Sequence, residues 1–174
     1  GEMLSVEAEV GPYGEGPRGR YLNCHIAFRR ANQTVPLRMV TEHLLPFDEV
    51  PAPGAKTPGN KSVGRAEDPR DGMEAVGSLK LSPEKVMGYS EEVGNQIHFD
   101  PEFAASRGYR TPLAQGPMQL TAMHGAIVAQ AMPWEMDLEI RFLRPVFWDG
   151  ELTLYSDPER RVYRCIDGNG KLTA

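Results

Sequence analysis

The chain has 174 residues, enough to bury the core of one ordinary domain or two small ones. With 25% charged and 40% apolar residues it has a globular composition, not that of a disordered or collagen-like chain. Nineteen Lys and Arg against 24 Asp and Glu give a net charge of −5 and a pI near 5.4 without any basic block that could grip phosphate backbones, so nucleic acid is not an expected partner.

In chain order, the first segment reads as three antiparallel strands at residues 3–10, 21–29 and 35–45, with Ala31-Asn32-Gln33-Thr34 as the turn between the last two. Residues 48–77 hold many of the 18 glycines and 15 prolines and sustain no apolar period of 2 or 3.6, which reads as a linker. Ser82-Pro83-Glu84 then supplies an N-cap, a first-turn proline and an early acid for a short helix ending near Gly94. Asp100-Pro101-Glu102 repeats that chemistry for a second helix to about Ser106. Gly116-Pro117 opens a third, over residues 116–132, with apolar or small residues almost all round, as in a buried helix. On that reading His124 is a core histidine that needs a partner. Strands resume at 138–143, 151–155 and 160–166, and Asp167-Gly168-Asn169-Gly170 turns into a last one.

Gly150-Glu151-Leu152-Thr153-Leu154 is similar to Gly1-Glu2-Met3-Leu4-Ser5, and residues 161–166 are similar to residues 20–26, which suggests a repeat whose first copy has only its strands. The expected organisation is a strand-rich partial repeat at 1–47, a linker at 48–77 and a complete domain at 78–174. The start at Gly1 suggests a processed product or an incomplete piece, and the length, one whole domain plus three strands of a second, suggests part of a double domain whose beginning is absent. No apolar run approaches the roughly 20 residues needed to span a bilayer, and no leader opens the sequence, so a cytoplasmic location without membrane contact is expected. Cys24 and Cys165 lack disulfide or zinc spacing and read as small apolar residues of a reducing compartment.

The most specific stretch is residues 89–116, Y-S-E-E-V-G-N-Q-I-H-F-D-P-E-F-A-A-S-R-G-Y-R-T-P-L-A-Q-G, followed by P-M-Q. It resembles the hydratase motif of the MaoC-like, (R)-specific enoyl-CoA hydratase family, D-x-N-P-(I/L)-H-x-D-P-x-(F/Y)-A, then G-(F/Y), then P-(I/L)-x-H-G-M. Residues 141–152, R-F-L-R-P-V-F-W-D-G-E-L, resemble that family's F-x-x-P-V-x-x-G-D-x-(L/V) strand entry. The resemblance implies an α+β hot-dog fold, an antiparallel sheet wrapped around a central helix at 116–132, working in pairs, so that a homodimer or higher oligomer is expected.

It also implies hydration of enoyl thioesters on coenzyme A or an acyl carrier, or the reverse dehydration of 3-hydroxyacyl thioesters. That chemistry needs a base for water, an acid for the α-carbon and donors for the enolate oxygen. His98 matches the family histidine, a residue suited to general-base work near neutrality. Five residues earlier the family has aspartate, where this chain has Val93, which cannot transfer a proton. Glu92, one residue out of register, is the carboxylate that a loop shift could bring in; otherwise it is an exposed helix-end glutamate. Asn95 matches the motif asparagine and is suited to hold the loop or a water. Asp100 matches the last motif aspartate and has a capping role of its own.

Gly116 matches the motif glycine, with Gln115 in the histidine position. Either the bare N–H groups of Gly116 and Met118 receive the thioester oxygen at the helix N-terminus, or the glycine serves close packing. Arg107, Arg110, Arg141 and Arg144 are candidates for the phosphates of coenzyme A. Phe142, Phe147 and Trp148 are expected in the core or at a subunit interface. No dinucleotide, Walker or metal motif occurs, so no cofactor and no metal is expected. With Val93 in place of aspartate, a non-catalytic half that binds acyl thioesters or serves as the structural partner of an active half is the alternative reading, and an acyl-CoA thioesterase on the same fold is a third.

Overall fold

The computed structural model describes residues 2–16, 19–46 and 68–174, which fall into two units, Gly1–Asn60 and Lys61–Ala174. The first unit is an antiparallel sheet of β1 (Ser5–Gly16), β2 (Gly19–Arg29) and β3 (Leu37–Pro46), in that order. Its β2–β3 turn forms at the expected tetrapeptide: Gln33 N–H donates to Arg30 O, Arg30 N–H donates to Thr34 O, and Asn32 Oδ1 accepts from Thr34 N–H. The register places Val6, Phe28 and Leu37 in one row and Ala8, Ile26 and Met39 in the next of the same face. Strand β1 runs beyond the expected Val10 because the Gly11-Pro12 step is absorbed as an irregularity on an edge strand, where a missing N–H costs no ladder bond.

Most of the expected linker, residues 48–67, lies outside the described residues. Its last four residues, Glu74 to Gly77, are instead the first half of strand β4 (Glu74–Lys80). The register slips between Ala75 and Gly77, so Val76 and Leu79 both pack against the core three residues apart, and that slip erases the period of 2. Strands β4, β5 (Glu151–Ser156) and β6 (Tyr163–Asp167) form the antiparallel sheet of the second unit, β5 in the centre. Alternation along β5 buries Leu152, Leu154 and Ser156 on one face. With Leu81, Val86, Ala114, Met123, Val146 and Cys165, the two leucines make the core.

Helix α1 (Pro83–Ser90) starts where Ser82 Oγ accepts from Lys85 N–H, and a 3-10 turn at Glu91–Val93 carries it to Gly94 at φ 67, the expected stop. Helix α2 (Pro101–Ser106) is capped by Asp100, whose carboxylate accepts from the N–H groups of Glu102 and Phe103. Helix α3 (Gly116–Gln130) packs on the sheet through Met118, Ala122, Met123 and Ala126.

Two expectations need correction here. Helix α3 is not enclosed: only Gln119 and Met123 are buried, and His124 is exposed, not a core histidine. The stretch 138–143 is not a strand among the described residues, for although Leu138, Ile140 and Phe142 alternate with charged residues, its one ladder-like bond is Leu143 N–H to Thr173 O. The turn at residues 167–170 forms as expected, with Gly170 at φ 75, and leads to a single bridge, Ile166 to Leu172. Of the two repeat pairs, residues 20–26 and 163–166 lie in strands in both copies, whereas residues 2–4 precede β1. No helix among the described residues is long and apolar enough to cross a membrane.

Candidate functional site

The site is built on the turn that follows Gly94. Asn95, in extended conformation, caps a 3-10 turn at Gln96–His98 by accepting Ile97 N–H on its Oδ1 at 3.4 Å. With Oδ1 used in this way, the amide nitrogen of Asn95 lies 3.4 Å from His98 Nε2. The other ring nitrogen, Nδ1, lies 2.8 Å from the carbonyl oxygen of Leu113. A carbonyl only accepts, so Nδ1 carries the hydrogen and, in the neutral ring, Nε2 is left with its lone pair facing a weak amide donor. This tautomer follows from the partners, and it is the one a general base acting through Nε2 requires.

Leu113 is itself held on both sides. Its N–H donates to Ile97 O at 3.0 Å, Ala114 N–H to Val146 O at 2.8 Å, and Trp148 N–H to Pro112 O at 3.1 Å. Leu113 and Phe147 thereby form an antiparallel bridge, and the loop before α3 lies between the histidine turn and the segment leading to β5. Arg110, at the start of that loop, meets Asp149 through both terminal nitrogens, at 2.6 and 2.8 Å, with its guanidinium 4.1 Å from the centre of the Phe147 ring. The hydrogen bonds from Arg110 hold the Asp149 carboxyl below the usual carboxylate value, and Asp149 in turn raises Arg110.

The remaining sequence candidates fall as follows. Glu92 and Val93 lie on the exposed 3-10 turn, Val93 at 60% exposure, and neither is a hydrogen-bond partner of His98. Asp100 serves as the α2 cap. Arg107 closes α2 with its guanidinium over the Phe103 ring. Gly116 lies under Phe142: a Cβ there would meet the ring at 2.9 Å. Met118 N–H is already donated to Gln115 O at 3.0 Å. Gln115 Nε2 is buried without a partner among the described residues. Cys165 is fully buried, which pushes its thiol up to about 11, and it takes no part in the site. No group of three His, Cys, Asp or Glu able to hold a metal occurs among the described residues. An open cleft of about 600 Å³, lined by Arg110, Arg144, Phe147, Glu151, Asp167 and Lys171 among others, does not include His98.

Two contributors had no signature in the sequence. The Leu113 carbonyl is backbone, which any residue would supply, and Asp149 stands 39 residues from Arg110. The P-V-F-W-D-G run that brings Asp149 in was visible only as a strand entry.

The family model described as MaoC like domain matches residues 66–164, more than half of the chain. No curated protein matches. Among solved structures, a MaoC-like dehydratase from Phytophthora capsici superposes with a TM-score of 0.70 at 18% identity, over 98% of this chain and 61% of that one. HtdX of Mycobacterium tuberculosis gives a TM-score of 0.72 at 18% identity, over 99% and 64%. The full-length peroxisomal multifunctional enzyme type 2 from Drosophila melanogaster gives 0.68 at 19%, over 98% and 32%. At these identities the likeness is one of fold, the expected α+β hot-dog class, and the chain spans less than two thirds of the length of each of these relatives.

Proposed function

Because this chain belongs to the MaoC-like dehydratase family, we propose that it hydrates enoyl thioesters on coenzyme A or an acyl carrier, or dehydrates 3-hydroxyacyl thioesters, with His98 as the base. The supporting observation is the Nδ1–H bond to Leu113 O, which leaves Nε2 unprotonated in the neutral ring. In the forward direction Nε2 takes a proton from water as the oxygen bonds to the β-carbon. The Gly116 N–H, for which the described residues supply no partner, receives the developing enolate oxygen. The α-carbon then takes a proton from an acid, for which the protonated carboxyl of Glu92 is the candidate, and the proton on Nε2 passes through solvent to the resulting carboxylate, which restores both groups. Asn95 orients the base nitrogen, and Met118 and Arg107 are candidates for lining the substrate path. No cofactor is required for this addition.

The test is hydration of crotonyl-CoA followed by loss of the enoyl absorbance. His98→Ala is expected to lower the rate by about 10²- to 10⁴-fold, as loss of a general base does, and unchanged turnover would remove His98 from the role. The exposed Val93 favours a second reading, a half that binds thioesters without turning them over. Thermal stabilisation by acyl-CoA with no hydration in the wild type would establish it, and release of free thiol would indicate a thioesterase instead. Exposed apolar side chains at Met132, Trp134, Phe142 and Leu143 support self-association, as a homodimer or higher oligomer. A clean monomer by size exclusion with light scattering would exclude it.

A further inference from the structure

We infer that Arg110 and Asp149 act together as positioning residues for His98, through the Leu113 carbonyl, and not as a phosphate-binding pair. The orientation of that carbonyl decides which ring nitrogen of His98 carries the hydrogen, and it is set by a peptide plane three residues beyond Arg110. The loop enters that plane from Arg110 and leaves it at Ala114. The exit is pinned by Ala114 N–H on Val146 O, and the middle by Leu113 N–H on Ile97 O. Among the described residues, the entrance is pinned by the Trp148 N–H bond to Pro112 O, by the Arg110 side chain and, just upstream, by the Tyr109 N–H bond to Ala104 O.

The guanidinium is fixed in two directions: its paired bonds to Asp149 set its plane, and the Phe147 ring at 4.1 Å supports its face. Phe147 is also the bridge partner of Leu113, so side chain and backbone of one residue hold both ends of the same short loop. The paired bonds use one hydrogen on each terminal nitrogen, and the Asp149 carboxylate neutralises the guanidinium and repels an anion beside it, which disfavours a phosphate there. The side chains remain 54% and 44% exposed, so the pair is screened by water and adds little to global stability. Its effect is local, which makes it separable from folding.

The activity arm of the test rests on the hydratase reading, while the spectroscopic arm does not. Imidazole 1H–15N correlation spectra of the full chain report the tautomer of His98 directly. The wild type is expected to show a single Nδ1–H form. Arg110→Gln, which keeps an uncharged stem over Phe147, and Arg110→Ala are expected to give mixed tautomers with an unchanged unfolding midpoint. They are also expected to lower kcat about 10- to 100-fold while KM stays nearly constant, the size of effect that a small misplacement of a catalytic group produces. Exchanging the charges, Arg110→Asp with Asp149→Arg, restores the ion pair without the Phe147 support and is expected to shift the mixture back toward the Nδ1–H form relative to Arg110→Asp alone. An unaltered His98 spectrum in both Arg110 variants overturns the inference. So does a rise in KM at constant kcat, the signature of a lost substrate contact. If the wild type has no turnover, the hydratase reading fails and the spectra alone decide.

Discussion

Gly116→Ala separates the two roles open to the glycine at the start of α3. The added Cβ would lie 2.9 Å from Cε2 and 3.0 Å from two other carbons of the Phe142 ring. Since carbon pairs settle at about 3.5 to 4.0 Å, the ring must retreat by at least about 0.6 Å. Phe142 is 46% exposed and makes no ladder bond among the described residues, so it can swing outward. Moving a side chain off its preferred rotamer costs about 0.5 to 1.5 kcal/mol. Alanine recovers part of the roughly 1 kcal/mol by which glycine is disfavoured in helices, less at this first position. The net change in stability is therefore expected within about 1 kcal/mol, and urea unfolding followed by circular dichroism measures it.

If the Gly116 N–H receives the enolate oxygen, the methyl obstructs that approach, and hydration of crotonyl-CoA is expected to fall by about 10²- to 10³-fold, the cost of losing an oxyanion donor. A variant that unfolds near the wild-type midpoint yet retains activity within about threefold would refute the oxyanion role and leave close packing under Phe142 as the reason for glycine.

Leu152 is fully buried on the central strand β5 within the core cluster, so Leu152→Ala is expected to destabilise the second unit by about 2 to 5 kcal/mol in urea titrations. A cost below about 1 kcal/mol would mean that this core is not the one formed in solution. Cys165 binds its proton more tightly folded than unfolded, so stability should decline as pH rises above about 9, where the unfolded thiol ionises first. Cys165→Ala should flatten that limb of the pH profile, and an unchanged slope counts against burial of the thiol. Asp157 accepts Val162 and Arg161 N–H groups, which lower its carboxyl below 3.8. Its stabilising contribution is complete above about pH 4 and lost on further acidification, so Asp157→Asn should make the urea midpoint less sensitive to pH in that range.

What could be read from the sequence was local. Ser82, Asp100 and the Asn32 turn each satisfy backbone groups within four residues of themselves, and the folded chain uses them as their chemistry dictates. What failed depended on partners. Alternation at Leu138, Ile140 and Phe142 specifies an apolar side of an extended chain, but a strand also needs a neighbour, and the described residues provide none beyond Thr173. Small residues around α3 allow close packing without guaranteeing something to pack, which is why His124 is exposed. At the site, His98 and Asn95 stood out because their spacing is that of a motif, while the carbonyl that fixes the histidine and the carboxylate that holds its loop arrive through tertiary structure.

The valine at position 93 bears on mechanism in a way that its charge alone does not convey. Hydration splits one water into a hydroxyl on the β-carbon and a proton on the α-carbon, so the proton taken at the first step equals the one required at the second. A single imidazole can carry it between the two, provided the intermediate imidazolium is stabilised and its free nitrogen is the correct one. The Leu113 carbonyl meets both conditions, since it accepts from Nδ1 in the neutral and in the charged ring. A carboxylate five residues earlier would share the proton transfer and raise the rate, but the proton inventory closes without it. On the proposed mechanism, Val93→Asp is therefore expected to raise the rate of crotonyl-CoA hydration without being required for it, and an unchanged rate would count against a shared proton transfer.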